Sequence, residues 1–275
     1  MKRRNFIKTT GLGIAALTVV GNKIYANNEF NKTKLNIVVL LSGGVNFNDI
    51  ISKKNKQLLC FENNFSGKII CHTHLKYSGK NLEHAQALLN ALQSFKGNSH
   101  KQIFISSENS ETTEHVLNSN IPFDILHVKT LNIDKPNNAD AAVFEKAFEN
   151  FTPANDTTVI LNLEDTDVAH YNSEKYKEVL SFYSEQITKI AEFIFNDYTS
   201  QKYEPTLTVF SVLGRNCFSN EIGSTNMAFS SDHYDESARD LFCLSYQKSN
   251  HKMILFDDTA IDSSEFFKSI PVVSV

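Results

Sequence analysis

The feature that most restricts the fold of this chain is a rhythm, in which short, largely apolar runs alternate with longer segments whose apolar residues recur at helical spacing. Residues 35–41 (LNIVVLL) open the series, and similar runs stand at 102–106, 123–128, 158–163, 206–211, 241–246 and 253–256. Runs without a polar face suit strands buried on both sides. Between them, residues 82–95 place Leu82, Ala85, Leu88, Leu89, Leu92 and Phe95 along one side, and 139–151 and 176–198 carry the same stripe with charged opposite faces. This alternation predicts an α/β fold, a mostly parallel sheet sandwiched by helices. With no internal repeat and no low-complexity linker, residues 27–275 read as a single domain, and 132–138 and 219–231 are its expected long loops.

The first 26 residues read differently. Lys2-Arg3-Arg4-Asn5-Phe6-Ile7-Lys8 resembles a twin-arginine export signal, and the stretch 9–20 behind it contains Gly11 and Gly13. It is too short and too weakly apolar to span a bilayer, which takes about 20 apolar residues, so no stable membrane anchor is expected. Ile24-Tyr25-Ala26 offers a cleavage point, and a periplasmic or secreted protein is expected. Residues 1–26 hold five of the 27 basic residues and none of the 31 acidic ones, leaving 22 basic against 31 acidic, a formal charge of −9. That balance speaks against nucleic acid as a partner, because phosphate binding needs clustered Lys and Arg. The four cysteines, Cys60, Cys71, Cys217 and Cys243, form no CxxC pair, and an oxidising compartment would allow one or two disulfides in any of three pairings.

In an open parallel sheet, ligands bind beyond the carboxyl ends of the strands. The first run ends in Ser42-Gly43-Gly44, the run at 158–163 in Glu164-Asp165-Thr166-Asp167-Val168-Ala169-His170, and the run at 206–211 leads to Gly214-Arg215-Asn216 and on to Asp232-His233. Asp167 and His170, three apart, would share one side of a helical turn and supply oxygen and nitrogen to zinc or another divalent ion, with His233 as third ligand. The same residues also fit a structural role in which Asp165 and Asp167 cap a helix starting near Ser173 and His170 is a polar loop residue. Ser42 before two glycines is a nucleophile or anion-binding candidate, but no Gly-x-Ser-x-Gly elbow and no base accompany it, which favours a plain turn. Gly43-Gly44 is not followed by a GxGxxG or a lysine-bearing phosphate loop. His72, His74 and His84 form a further polar group of surface character.

At these residues the chain resembles the alkaline phosphatase and sulfatase superfamily, in particular its exported sulfatase-like members. The resemblance lies in residues 38–50 (VVLLSGGVNFNDI), 162–190 (NLEDTDVAHYNSEKYKEVLSFYSEQITKI), 206–218 (TLTVFSVLGRNCF) and 230–244 (SSDHYDESARDLFCL). It implies an alkaline-phosphatase-like fold and a metal-dependent phosphate or sulfate ester hydrolase acting on a small ester. In such proteins two ions, commonly zinc, activate a Ser or Thr nucleophile at the strand ends.

Carried over residue by residue, the resemblance assigns Asp167, His170 and His233 to one metal, although the family more often spaces that aspartate four before the histidine. The Asp-His expected directly before Gly214-Arg215 is Val212-Leu213 here. The aspartate expected after the first strand is Ser42, with Asp49 further along, and Glu83-His84-Ala85 occupies the region of the nucleophile. These departures imply a two-metal site eroded to one divalent ion at most, zinc being the expected one, with Arg215 and Ser42 as anion contacts. The alternative is a catalytically inactive binding or scaffold protein of the same fold.

Overall fold

The computed structural model describes residues 32–51, 58–61, 68–76, 101–108, 110–118, 121–129, 138–168, 173–211 and 240–247. Seven strands form one sheet: β1 (Thr33–Leu41), β2 (Lys68–Lys76), β3 (Lys101–Ser107), β4 (Asp124–Val128), β5 (Thr157–Leu163), β6 (Tyr203–Ser211) and β7 (Asp240–Gln247), in the order β2-β7-β6-β1-β5-β3-β4. The five strands from β6 to β4 run parallel. β7 and β2 extend the sheet antiparallel at one edge.

β1 lies between β5 and β6, with Leu41 opposite Leu163 on one side and Ser211 on the other. Its continuous apolar run follows from that central position, since Leu35 and residues 37–41 are all buried. The described helices are α1 (Phe47–Ile50), α2 (Glu111–Asn118), α3 (Asn138–Phe148), α4 (Asp165–Val168), α5 (Ser173–Phe195) and α6 (Asp197–Lys202).

The 23-residue α5 buries Tyr176, Val179, Leu180, Tyr183, Ile187, Ile190, Ala191 and Ile194, spaced by threes and fours as a helix packed on one face requires. With Val143, Phe144 and Ala147 of α3 they join the core formed by Ile37, Val39, Ile105, Val159, Leu161, Leu207 and Val209. Aromatic rings lock the two helices together: Phe144 meets Phe182 edge to face at 5.8 Å, and Phe148 meets Phe193 edge to face at 6.4 Å. Residues of alternate register, Val38, Leu40, Phe104, Ile160 and Phe210, are buried as well. The central strands are thus largely apolar, with Thr208 a buried polar residue within β6.

The expected α/β architecture is therefore observed, with two local differences. Residues 176–198 do not form one helix: at Asn196 the side chain accepts from the Thr199 N–H at 2.7 Å, ending α5 and capping α6. An additional strand, β2, pairs with β7. The run at 253–256, the helix at 82–95, and His84 lie outside the described residues, as does the export signal. No described helix is long and apolar enough to cross a membrane.

Candidate functional site

The parallel strands bring their carboxyl ends to one edge, and there β1 and β5 are joined through the backbone beyond their last residues. The N–H groups of Ser42 and Gly43 both donate to the Leu163 carbonyl, at 3.0 and 3.2 Å. The chain can make this turn because of its two glycines. Gly44 has φ 78°, in the left-handed region. At Gly43 a Cβ would lie 2.4 Å from Thr166 Oγ1, 2.7 Å from the Glu164 carbonyl oxygen and 2.9 Å from the Asp167 nitrogen. The close approach that glycine permits is thus used against the β5–α4 turn.

Beneath this turn is a network of hydroxyls, one amide and one carboxylate. Ser42, 1% exposed, donates its hydroxyl to Asn162 Oδ1 at 2.5 Å and also lies 3.2 Å from the Leu163 carbonyl oxygen. Asn162, also 1% exposed, directs Nδ2 at Ser106 Oγ (2.9 Å), Ser110 Oγ (3.2 Å) and Glu164 Oε1 (2.9 Å). Ser110 donates to the same Glu164 oxygen at 2.7 Å, and its own Oγ accepts from the Thr113 N–H at 3.2 Å, capping α2. Buried polar groups are tolerated when each finds a partner, and this network supplies them across β1, β3, β5 and α2.

A second cluster lies on the other side of the same turn, and it is acidic. Asp140, in the first turn of α3, accepts from the N–H groups of Glu164 (3.1 Å) and Asp165 (2.8 Å), while Asp165 Oδ2 accepts from the Asp140 N–H at 3.0 Å. Tyr183 of α5 donates its hydroxyl to Asp140 Oδ2. Burial, reinforced by the charge of Asp165, holds the Asp140 carboxyl well above the usual carboxylate range. Burial and the same two carboxyls raise Tyr183 as well. Asp165 thus satisfies an N–H in the first turn of α3.

Of the expected metal ligands, Asp167 is the third residue of α4 and is exposed at this edge. His170, His233 and Arg215 lie outside the described residues. Among the described residues no group of three His, Cys, Asp or Glu side chains stands together as an ion would need. The described part of the edge therefore offers Asp167 to the ion expected with His170 and His233. Ser42, where the resemblance implies an aspartate, brings a hydroxyl already engaged with Asn162. His72 and His74 fall on β2 at the sheet's edge, in register with Leu244 and Phe242. Cys60 is a free thiol that burial pushes up to about 11, which leaves little thiolate near neutral pH.

Sequence reasoning singled out neither Asn162 nor Asp140. Asn162 carried a signal, an amide inside an otherwise apolar run (VILNL) that a buried strand accepts only with partners.

The chain matches no protein-family model and no curated protein. Solved structures do share its fold. The C-terminal periplasmic domain of EcEptC from Escherichia coli superposes with a TM-score of 0.54 and 11% identity over 86% of this chain and 80% of that one. The same domain in complex with Zn gives 0.54 and 11% over 87% and 82%. The phosphoglycerol transferase GacH of Streptococcus pyogenes, in complex with sn-glycerol-1-phosphate, gives 0.51 and 11% over 87% and 74%. With a five-stranded parallel sheet, covering helices and these structural neighbours, the fold is alkaline-phosphatase-like.

Proposed function

We propose that the protein is an exported, divergent relative of metal-dependent phosphate or sulfate ester hydrolases, whose site at the carboxyl edge of the sheet holds a single divalent ion. Asp167, His170 and His233 are its ligands and zinc is the ion, while Arg215 and the Ser42 turn face the anionic part of a small ester. Such an ion, when bound, acts as a Lewis acid toward an ester oxygen. The observation that carries this reading is the contrast at the ends of two neighbouring strands: Asp167 is exposed after β5, whereas Ser42 after β1 is buried and bonded to Asn162. One carboxylate faces outward where two metal-binding acids were implied. Zinc in the EcEptC domain and sn-glycerol-1-phosphate in GacH are properties of those proteins, and they indicate which ion and which ester to try first.

Elemental analysis of the folded, tag-free protein tests the ligand set. The expected result is one divalent ion per chain, lost on His170→Ala. No ion, or no change in that variant, would remove the assignment. Turnover of aryl phosphate and aryl sulfate with added zinc, manganese or calcium tests activity, and including glycerol as acceptor separates transfer from hydrolysis. A second reading, a binding or scaffold protein without turnover, draws support from the described network beneath the turn, whose hydroxyls and amide bond one another. It predicts no turnover with any of the three ions.

A further inference from the structure

The bonds around Asn162 indicate that a hydrogen-bonding group has taken over a place at the strand ends, an inference that rests on the reading above of Ser42 as standing where a metal-binding aspartate is implied. We propose that the Asn162 amide is a neutral replacement for a cation at the meeting of β1, β5 and β3, and that this edge keeps its shape without a divalent ion.

Register brings the participants together: β5 lies between β1 and β3, with Leu40 opposite Asn162 and Ile105 opposite Leu161. A cation can join strand ends only by gathering lone pairs, so every group around it must be an acceptor. Here the polarity is mixed. Ser42 directs a proton at Asn162 Oδ1, and the two Nδ2 protons of Asn162 are shared among Ser106, Ser110 and Glu164. An amide can do both, which a metal ion cannot. The single acid of the network, Glu164, already receives Asn162 and Ser110 on one oxygen. Ser42, Ser106, Ser110 and Asn162 are all at most 4% exposed, so losing the hub would strand several buried groups at once.

The test uses the full chain carrying Asp167→Ala, His170→Ala and His233→Ala, which removes the ion of the proposed function, and follows the unfolding midpoint with chelator and then with zinc, manganese or calcium. The midpoint of this parent is expected to be the same in all four conditions. Adding Asn162→Ala should lower it by roughly 5–10 °C whether or not ions are present. Should that variant fail to fold, Ser42→Ala removes one arm only, and a fall of about 2–4 °C is expected. Adding Ser42→Asp instead should lower the midpoint in chelator and let a divalent ion restore part of the loss, since a buried carboxylate there lacks a counter-charge.

A midpoint of the parent that rises with an ion, with the gain abolished by Ser42→Ala, would overturn the proposal. So would an Asn162→Ala variant as stable as its parent, or a Ser42→Asp variant indifferent to all three ions. Because the parent lacks the three proposed ligands, these results are independent of whether the unaltered protein binds metal through them. Failure of that reading and failure of this one are read from different proteins.

Discussion

Two buried polar clusters flank the turn after β5, and they meet the cost of burial in opposite ways. On the β1 side, Asn162 ties hydroxyls and one carboxylate together with an amide that both donates and accepts. On the α3 side, Asp140 and Asp165 lie 1% and 3% exposed, and the donors that reach Asp140 are two backbone N–H groups and a tyrosine. The first cluster is joined through an amide hub. The second places two acids side by side, so its stability depends on pH. The turn bearing Asp167 is therefore held by one clamp built on an amide and one built on a pair of buried acids.

The largest effect is expected at the acidic clamp. Asp140→Ala strands the half-buried Glu164 N–H and two buried donors, the Asp165 N–H and the Tyr183 hydroxyl, and a buried donor's loss of its partner costs about 1–3 kcal/mol. Relief of the repulsion with Asp165 offsets part of this, leaving about 3 kcal/mol, measurable by chemical unfolding. A loss below about 1 kcal/mol would mean that the carboxylate repulsion nearly cancels the bonds.

Gly43→Ala follows, at about 2 kcal/mol, because an added methyl meets backbone as well as a side chain. The companion substitution Thr166→Ala removes only the contact at 2.4 Å and leaves those with the Glu164 carbonyl and the Asp167 nitrogen. Little rescue is expected in the double variant. Full rescue would show that the hydroxyl alone fixes the spacing, and that the turn itself can move.

The same comparison explains what could be read from sequence. The apolar runs behind β1, β3, β5 and β6 were legible because burial on both faces leaves a composition that needs no neighbour to interpret, while those of β4 and β7 stood out by composition, β4 being a half-exposed edge strand. β2 (KIICHTHLK) was not, since His-Thr-His interrupts its apolar residues and its place comes from pairing with β7. The site was legible only at its outline. Strand ends nominate Ser42 and Asp167, but the bond from Ser42 to Asn162 joins residues 120 apart and depends on the register of β1 with β5. Asp140 and Asp165, 25 apart in sequence, likewise meet through a docking of α3 that no local period specifies.

A pH series sharpens the contrast between the clamps. The Asp140 carboxyl binds its proton more tightly in the folded chain than at its ordinary 3.8, so the folded state holds the extra proton in between. Its contribution to stability is full below about pH 4 and falls as pH rises through the raised folded value. Asp140→Asn should therefore flatten the dependence of the unfolding midpoint on pH above 4, relative to the unaltered protein. Tyr183→Phe should cost about 1 kcal/mol. It should also move the loss to higher pH, because the tyrosine hydroxyl helps to hold the carboxylate charged. A profile unchanged by Asp140→Asn would locate the titration elsewhere.

The smallest effect on stability, and the most informative for function, is expected at Asp167. It shares a four-residue helix with buried Asp165, yet its side chain is exposed, while its backbone N–H is fixed to the Glu164 carbonyl at 2.8 Å. Since the backbone bond survives truncation, Asp167→Ala should change stability by less than about 0.5 kcal/mol in chelator. With zinc present, the unaltered protein should gain stability that the variant lacks, because an ion bound only to the folded state stabilises it in proportion to the logarithm of its concentration over Kd. Equal response to zinc in both proteins would leave Asp167 as a solvent-facing residue of the turn. A difference that appears only with zinc would separate a carboxylate presented for binding from the buried pair beside it, whose bonds are spent on holding α3 and α4 together.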